Sequence, residues 1–205
     1  MRDFIIATKN KGKICEIKEI LKEFPFNVVS MESVGIHNDI EENGTTFEEN
    51  ALIKAREIAF ITGGIVMADD SGLEVDYLGG APGIYSSRFA GEGASDRDRN
   101  NKLLSMLSGV PAEKRTARFV CVIAVVLPDK TFFTVRGECE GRIGLKEEGS
   151  NGFGYDPLFF LPEYNLTTAQ LPTDEKNRIS HRGKALRLMV EELKKRITDL
   201  HGLEG

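Results

Sequence analysis

Tryptophan is absent from the 205-residue chain, and histidine and cysteine occur only three times each. The cysteines, Cys15, Cys121 and Cys139, are odd in number and show no CxxC spacing, which argues against a disulfide framework and against a thiolate metal site. Long hydrophobic runs are also missing, because the longest, Phe119–Leu127, is far shorter than the roughly 20 residues that a membrane helix needs. A disulfide-rich secreted domain and a membrane-spanning helix are therefore not expected.

An excess of positive charge is missing as well, since 27 basic and 32 acidic residues give a net charge of −5. Such a surface has no general attraction for nucleic acid or for anionic membranes, so an anion site has to be a local basic pocket. The first residues, MRDFIIA, do not have the shape of a signal peptide. We therefore expect a cytoplasmic protein that binds a small molecule, with no nucleic-acid or membrane partner.

The hydrophobic pattern that is present is typical of an α/β fold. Phe4–Ala7 predicts a buried strand, Lys13–Phe24 an amphipathic helix and Asn27–Met31 a second strand, which together form a β-loop-α-β unit with parallel strands. Further on, Arg118–Leu127 and Thr131–Cys139 predict an antiparallel hairpin. The sequence thus predicts a mixed central sheet flanked by helices, in a single domain over residues 1–205.

Two adjacent aspartates follow a predicted buried strand, Ile65–Ala68, at its C-terminal end, where open α/β sheets bind their ligands. Asp69 and Asp70 repel one another unless a cation or a donor offsets their charges. With Glu41 and Glu42 as further oxygen ligands, the set favours Mg²⁺ held partly through water and substrate phosphates. The alternative is that one aspartate makes a local Asx contact while the other is solvated.

A lysine-rich loop joins the first strand to the first helix. It consists of Thr8, Lys9, Asn10, Lys11, Gly12 and Lys13. A turn of this kind directs backbone N–H groups and ammonium groups at a phosphate, although it is not a GxxxxGK[ST] loop. The alternative is an ordinary soluble surface loop.

A second loop, rich in glycine and aromatic residues, contains Phe153, Gly154, Tyr155, Asp156 and Pro157. It offers a ring face for stacking on a planar base, a carboxylate for the edge of the base, and a glycine that lets a ligand approach the backbone. The alternative is that the aromatic rings form a small satellite core.

The C-terminal helix has a cationic beginning. Leu186, Val190 and Leu193 mark its apolar face, Ser180 can serve as its N-cap, and Arg182 lies in its first turn. Positive side chains at the positive end of the helix macrodipole cost stability unless an anion lies there, and a phosphate is one candidate. The alternative is a solvated arginine. His181 fits a general base, a ligand of the nucleobase or a structural residue equally well.

Lysines for phosphates, carboxylates for Mg²⁺ and aromatic rings for a base together predict a nucleoside triphosphate site. The four motifs, in this order and at these intervals, resemble the inosine triphosphate pyrophosphatase family from residue 4 to about residue 197. The resemblance implies hydrolysis of ITP, dITP and XTP to the monophosphate and pyrophosphate. It also implies a mixed α/β fold of two lobes with the site in the cleft between them, and a homodimer.

The resemblance further implies a role for each matching residue. Glu41 and Asp70 would bind Mg²⁺, and Asp70 would also orient or deprotonate the attacking water. The residues implied to bind the substrate are Thr8, Lys9, Asn10, Lys11, Gly12 and Lys13 for the triphosphate, Lys54 and Ser71 for further contacts, Phe153, Gly154, Tyr155 and Asp156 for base and sugar, and Lys176, His181 and Arg182 for the remaining recognition. One departure is Lys9, where a glycine is common in the family.

Two other functions stay open at this stage. One is a pyrophosphatase of related fold that acts on modified pyrimidine nucleotides, against which the Ser-His-Arg segment at residue 180 argues. The other is a nucleotide-binding module without catalysis, which would be expected to have lost the Asp70 carboxylate.

Overall fold

The structure of the protein is a computed structural model that describes residues 3–22, 27–38 and 40–201, with the side chains of residues 197–201 outside the description. The strands are β1 (Asp3–Ile6), β2 (Asn27–Ser30), β3 (Ile65–Val75), β4 (Thr116–Val126), β5 (Phe132–Ile143), β6 (Phe159–Leu161) and β7 (Leu166–Thr167). The α-helices are α1 (Lys11–Leu21), α2 (Phe47–Thr62), α3 (Asp96–Met106), α4 (Thr173–Ile179) and α5 (His181–His201). The predicted end of the first helix at Phe24 lies outside the described residues.

The seven strands form one mixed sheet in the order β2-β1-β3-β4-β5-β6-β7. β1 pairs in parallel with β2 and with β3, as the predicted β-loop-α-β unit requires. The Leu127 N–H donates to the Thr131 carbonyl at 2.9 Å and the Ile143 N–H donates to the Arg115 carbonyl at 2.9 Å, an antiparallel register between β4 and β5. The mixed α/β sheet predicted from the sequence is therefore confirmed.

The strand that carries the paired aspartates is longer than predicted. β1 ends at Ile6, opposite Met67, but β3 continues to Val75. The second half of β3 stays extended because Leu73 and Val75 are fully buried. The expectation that Asp69 and Asp70 follow a strand is wrong, since both lie within β3, just beyond the end of its neighbour β1.

The last third of the chain also differs from its predicted form. The loop predicted around Phe153 continues into a short strand, β6, which pairs with β5 and β7. The cationic cluster lies at a break between two helices, α4 and α5, with Ser180 between them in extended conformation (φ −65°, ψ 156°). This is the backbone conformation of an N-cap residue, in agreement with the role predicted for Ser180.

The chain divides into two compact units, each with a hydrophobic core of its own. The first unit consists of Met1–Asp70, Cys121–Gly137 and Arg182–Gly205, and the second of Ser71–Val120 and Glu138–His181. The core of the first includes Phe4, Ile17, Met67, Ile123, Leu186, Met189 and Leu193, and that of the second includes Leu73, Leu103, Leu107, Phe119, Leu158 and Phe159. A single two-lobed domain with a cleft stays a prediction.

Across the described part of the chain, no helix is long and apolar enough to cross a membrane.

The apolar face predicted for the C-terminal helix is confirmed as far as its side chains are described. Leu186, Val190 and Leu193 are buried in the core of the first unit. The side chain of Ile197, which continues the pattern, lies outside the description. α5 is therefore held to its own unit by one hydrophobic face, while Leu188 on another face is 44% exposed.

We expect Leu186→Ala to lower the free energy of unfolding by about 2–5 kcal/mol, because it removes a fully buried side chain and leaves a cavity. The matched control is Leu188→Ala on the same helix, which should change the free energy of unfolding by no more than about 0.5 kcal/mol. Urea unfolding followed by circular dichroism measures both values. Equal losses in the two variants would contradict the buried face assigned to α5.

Candidate active site

The lysine-rich motif lies where β1 leads into α1. The Asn10 side-chain oxygen caps α1 by accepting a hydrogen bond from the Lys13 N–H at 3.1 Å, and the Thr8 hydroxyl oxygen accepts one from the Asn10 N–H at 3.2 Å. α1 begins at Lys11, inside the motif, and its first turn contains no acidic residue. The positive end of the helix macrodipole therefore coincides with Lys11 and Lys13, an arrangement suited to an anion.

Asp69 is the most enclosed charged group of the first unit, with none of its surface exposed. Its Oδ2 atom lies 3.1 Å from the Lys13 ammonium and accepts two hydrogen bonds of 3.3 Å from the Arg182 guanidinium. Burial by itself would raise the pKa of Asp69, but the positive charges of Lys13 and Arg182 outweigh it and hold the pKa well below its usual range. Asp69 is therefore an ionised anchor for two cationic side chains.

Arg182 meets protein carboxylates at the head of α5. The residue is 3% exposed, and its guanidinium pairs with Glu16 of α1 in addition to Asp69. The alternative of a solvated arginine is therefore wrong. The anion expected at this helix end is supplied by the protein itself, because two carboxylates offset the guanidinium charge.

Asp70 faces a second set of partners, which α2 supplies. The Thr46 hydroxyl caps α2 by accepting the Glu49 N–H at 3.1 Å, and Asn50 and Lys54 then follow one turn apart on one face of the helix. The Asn50 side-chain amide donates to Asp70 Oδ2 at 3.3 Å, and the Lys54 ammonium donates to Asp70 Oδ1 at 3.4 Å. The same ammonium donates to the Asp69 carbonyl at 2.9 Å.

The surroundings of Asp70 raise its pKa, in contrast to those of Asp69. Burial is the largest cause, and the negative charges of Glu42 and Asp69 add to it, whereas Lys54 and Lys13 act against it. Burial would lower the pKa of Lys54, but the neighbouring carboxylates outweigh it and raise that pKa. Asp70 is thus the carboxylate of the pair that accepts a proton more readily.

The two glutamates considered as metal ligands lie in different surroundings. Glu42 lies with Oε1 at 3.1 Å from the Lys54 ammonium, while Glu41 is exposed. Glu42 rather than Glu41 therefore shares a cation with Asp70. Among the described residues, no three histidine, cysteine or acidic side chains come together as a metal site. The donor set of carboxylate oxygens nevertheless fits Mg²⁺, which takes most of its ligands from water and substrate phosphates.

In the second unit, Asp156 organises a buried cluster. Its Oδ2 atom accepts the Phe153 N–H at 2.9 Å and the Lys176 ammonium at 2.7 Å, and its Oδ1 atom accepts the Thr168 hydroxyl at 2.9 Å. Both carboxylate oxygens are thus bonded to groups of the protein. Asp156 thus supports the loop and Lys176, and its contact with the edge of a base stays a prediction.

The ring of Phe153 and the Lys176 ammonium lie together, with the nitrogen 5.3 Å from the ring centroid. Gly152 makes this arrangement possible, because a Cβ atom there would come within 2.1 Å of Asp156 Oδ2 and 2.9 Å of the Lys176 nitrogen. The glycine also has a φ of +78°, a conformation that other residues rarely adopt. The glycine-rich loop and Lys176 of α4 thus bring an aromatic ring and an ammonium group together.

Two other predicted site residues contact the core of the second unit. Tyr155 is 5% exposed and donates its hydroxyl hydrogen to the Ser86 carbonyl at 2.9 Å, so its ring belongs to the core, as in the satellite-core alternative. His181 stacks on Phe119 with ring centroids 4.8 Å apart and an angle of 19° between the rings. The structure thus identifies aromatic packing as one contact of His181, and its contact with a substrate stays a prediction.

The predicted residues therefore fall into two clusters. Lys13, Lys54, Asp70 and Arg182 gather around Asp69 in the first unit, and Phe153, Gly154, Asp156 and Lys176 come together in the second. Tyr155 and His181 are buried at the core of the second unit. The remaining ones are on the surface or half-buried: Thr8, Lys9, Asn10, Lys11, Gly12, Glu41 and Ser71. Residues that the sequence reasoning missed are Glu16, Asn50, Phe119 and Thr168. Only Glu16, three residues after Lys13 on one helix, carried a signal that could have identified it.

The fold and these clusters define a mixed α/β protein with lysine–carboxylate pairs buried inside it. The sequence model of the Ham1 family matches residues 4–192. The chain belongs to the Ham1 family. The dITP/XTP pyrophosphatase of Desulforamulus reducens is 52% identical to it over 189 residues, or 92% of this chain and 94% of that protein.

Solved structures agree with this assignment. The HAM1 protein from Coxiella burnetii is similar to this chain with a TM-score of 0.86 at 41% identity. The Staphylococcus aureus Ham1 protein is similar with a TM-score of 0.85 at 42% identity, and each comparison covers 95% of this chain and 100% of the other. The family predicted from the four motifs is thus confirmed, both by the family match and by relatives that bear the pyrophosphatase name.

We expect Asp69→Asn to lower the free energy of unfolding at pH 7 by about 3–5 kcal/mol, because two cations lose their buried counter-charge. The folded protein binds the Asp69 proton less readily than the unfolded chain, so stability rises with pH between the two pKa values. The difference in free energy of unfolding between the wild type and Asp69→Asn should therefore have its full value above pH 5. It should decrease by about 1.4 kcal/mol for each pH unit below about 4.

Urea unfolding at pH 7, 5, 4 and 3 measures this difference between Asp69→Asn and the wild type. Asp129→Asn, at an exposed position in the turn between β4 and β5, is the matched control at pH 7. It should show little change there, because the asparagine oxygen can still accept the two hydrogen bonds that Thr131 donates to Asp129. A difference between Asp69→Asn and the wild type that grows on acidification would contradict the ionised state assigned to Asp69.

Proposed function

We propose that the protein hydrolyses deaminated purine nucleoside triphosphates, namely ITP, dITP and XTP, to the monophosphate and pyrophosphate. The observation that carries the proposal is the pair of unlike carboxylates on β3, where an ionised Asp69 holds Lys13 and a more basic Asp70 contacts Lys54. This is the arrangement that hydrolysis of a phosphoanhydride needs, with cations for the phosphates and a base for water. The name of the Desulforamulus reducens relative supports the same reaction.

The phosphate end of the substrate is assigned to the first unit. Lys13, at the beginning of α1, and Lys54 supply positive charge, and the lysine-rich loop Thr8–Lys13 supplies backbone N–H groups. Mg²⁺ would be held by Asp70 and a neighbouring glutamate: Glu41 is the residue that the resemblance implies, and Glu42 is the one beside Lys54. When bound, Mg²⁺ would offset the negative charge of the triphosphate.

The chemical step assigned to Asp70 is a proton transfer. The carboxylate takes the proton of a water molecule as the water oxygen attacks the α-phosphorus, and the bond from phosphorus to the bridging oxygen breaks, so that pyrophosphate leaves. Lys54 holds Asp70 from one side, and Asn50 holds it from the other. The lysines stabilise the charge that develops on the leaving pyrophosphate, so positioning and electrostatics contribute most of the catalysis.

The base end is assigned to the second unit. Phe153 would stack on the purine, and Lys176, whose ammonium lies over that ring, would donate to the 6-keto oxygen. A 6-amino purine presents hydrogens instead of an acceptor to this ammonium, and the mismatch of two donors disfavours its binding. Arg182, which Asp69 and Glu16 bind, is a second candidate for this donor.

The remaining parts of the proposal concern the setting of the enzyme. We propose that it acts in the cytoplasm as a homodimer on free nucleotides, without a nucleic-acid or membrane partner. The acidic net charge of −5 supports the absence of nucleic-acid binding. His181, Ser71 and the sugar contacts of Phe153–Asp156 complete the site in this proposal.

Pyrophosphate release from dITP, dATP and dUTP, each with Mg²⁺ and then with EDTA, tests the proposal. We expect release from dITP to be at least about 100-fold faster than from dATP, because only the 6-keto base offers an acceptor to Lys176. EDTA should abolish it. Faster release from dUTP than from dITP would support the pyrimidine-specific alternative, and a folded protein that releases pyrophosphate from none of them would support a binding module.

Asp70→Asn should lower the turnover of dITP by about 100- to 10,000-fold, because it removes the proton acceptor. The exposed Asp129→Asn is the matched control and should keep wild-type turnover. Pyrophosphate release at saturating dITP measures turnover, and circular dichroism checks that both variants are folded. Near wild-type turnover by Asp70→Asn would contradict the role of Asp70.

A further inference from the structure

Both backbone polar groups of Gly154, in the glycine-rich loop, are bound by side chains of α3. The Gly154 N–H donates to Asp96 Oδ2 at 2.7 Å, and the Gly154 carbonyl accepts the Asn100 side-chain amide at 3.2 Å. The same amide donates to Glu147 Oε1 at 2.7 Å. Both Asn100 donations go to oxygen atoms, so the amide orientation is defined by its partners.

The positions of the two side chains that bind Gly154 are determined by their own helix, α3. Asp96 and Asn100 are four residues apart and therefore lie on the same face of α3. Ser95 and Asp98 form a reciprocal capping box that fixes where the helix begins. Arg99 pairs with Asp96 and donates to the Ser87 carbonyl at 3.0 Å. The positions of the two gripping side chains thus follow from the helix and not from the loop.

The gripped loop needs such support. Gly154 has a φ of +64°, in the left-handed region that glycine alone adopts readily, so the bound geometry is one of many open to this residue. Asn100 is 2% exposed, and loss of its donors would leave the half-buried Gly154 carbonyl and the Glu147 carboxylate without this partner. Fixing the Gly154 peptide also fixes Phe153, whose N–H is bound by Asp156.

We propose that Asp96 and Asn100 are positioning residues for base recognition. They bind the N–H and the carbonyl of Gly154, so that the Phe153 ring stays close to the Lys176 ammonium in a position where a planar base can stack on it. Neither residue touches the reacting phosphates. The inference rests on the proposed function for the identity of the ligand, while the grip on the loop stands on the hydrogen bonds alone.

The test compares Asn100→Ala with the matched control Asn101→Ala, the same change at the next, exposed position of α3. Asn100→Ala should raise the KM for dITP about tenfold with kcat unchanged, since loss of a buried hydrogen bond weakens base binding in ground and transition state alike. Inhibition by inorganic tripolyphosphate with Mg²⁺ should stay at its wild-type value. Asn101→Ala should keep the wild-type KM.

A KM for Asn100→Ala equal to that of Asn101→Ala would overturn the proposal. So would a parallel fall of kcat and of tripolyphosphate binding, because general damage to the fold, unlike a displaced base loop, affects both ends of the site. If Asn100→Ala does not fold, Asp96→Ala carries the same expectations, with the exposed Arg97→Ala as its control.

Hydrogen exchange separates failure of this inference from failure of the proposed function. The Gly154 amide should exchange at least about tenfold faster in Asp96→Ala than in Arg97→Ala, whatever the substrate of the protein is. Equal exchange would overturn the grip itself. Faster exchange in a protein whose wild type fails to hydrolyse dITP would refute the proposed function and the assignment of the base, and would leave the grip on the loop standing.

Discussion

The buried carboxylate of Asp69 is the group on which the arrangement of the first unit depends. It lies on β3 and holds Lys13 of α1 and Arg182 of α5, so three segments that are distant in sequence meet at one negative charge. The contacts of the hydrophobic core beneath them are not directional, so they tolerate small rotations and shifts of the helices. An ion pair at a buried carboxylate tolerates neither, since a small displacement leaves a charge without its partner. Asp69 therefore fixes the positions of the N-terminal ends of α1, which carries Lys13, and of α5, which carries Arg182.

The pKa values of adjacent aspartates can shift in opposite directions because a strand sends successive side chains to opposite faces. Asp69 meets two cations that lower its pKa, whereas burial and the nearby carboxylates raise the pKa of Asp70. The extended backbone of β3 is thus part of the chemistry. The sequence pattern predicts that the strand ends at Ala68. In a turn after Ala68, the two carboxylates would not have been fixed on opposite faces. The continuation of β3 through Leu73 and Val75 gives each aspartate its own surroundings.

Much of the fold and part of the site could be predicted from the sequence. The parallel and antiparallel strands and the buried face of α5 follow from local periodicity, and Asp70 stands out as one of two charges after an apolar run. Contacts between distant segments leave no such trace. Nothing local distinguishes Glu42 from Glu41, and only the path of the chain brings one of them to Lys54. Asn100 likewise is one polar residue among many until its partner, the Gly154 peptide, is known.

The buried lysine–carboxylate pairs contribute little to the stability of the fold. Their effect is to fix the positions of charged groups before a ligand binds. Lys54 with Asp70, and Lys176 with Asp156, each lose hydration that their mutual attraction offsets only in part, and apolar side chains of similar volume would often stabilise as well or better. What an apolar pair cannot supply is a charge whose position is fixed before a ligand arrives. Each lysine is tied to a carboxylate that is itself tied elsewhere, to Asn50 in one unit and to Thr168 in the other. An ammonium held in this way does not have to reorient as charge develops on a substrate, which is the property that electrostatic catalysis and selective recognition both require.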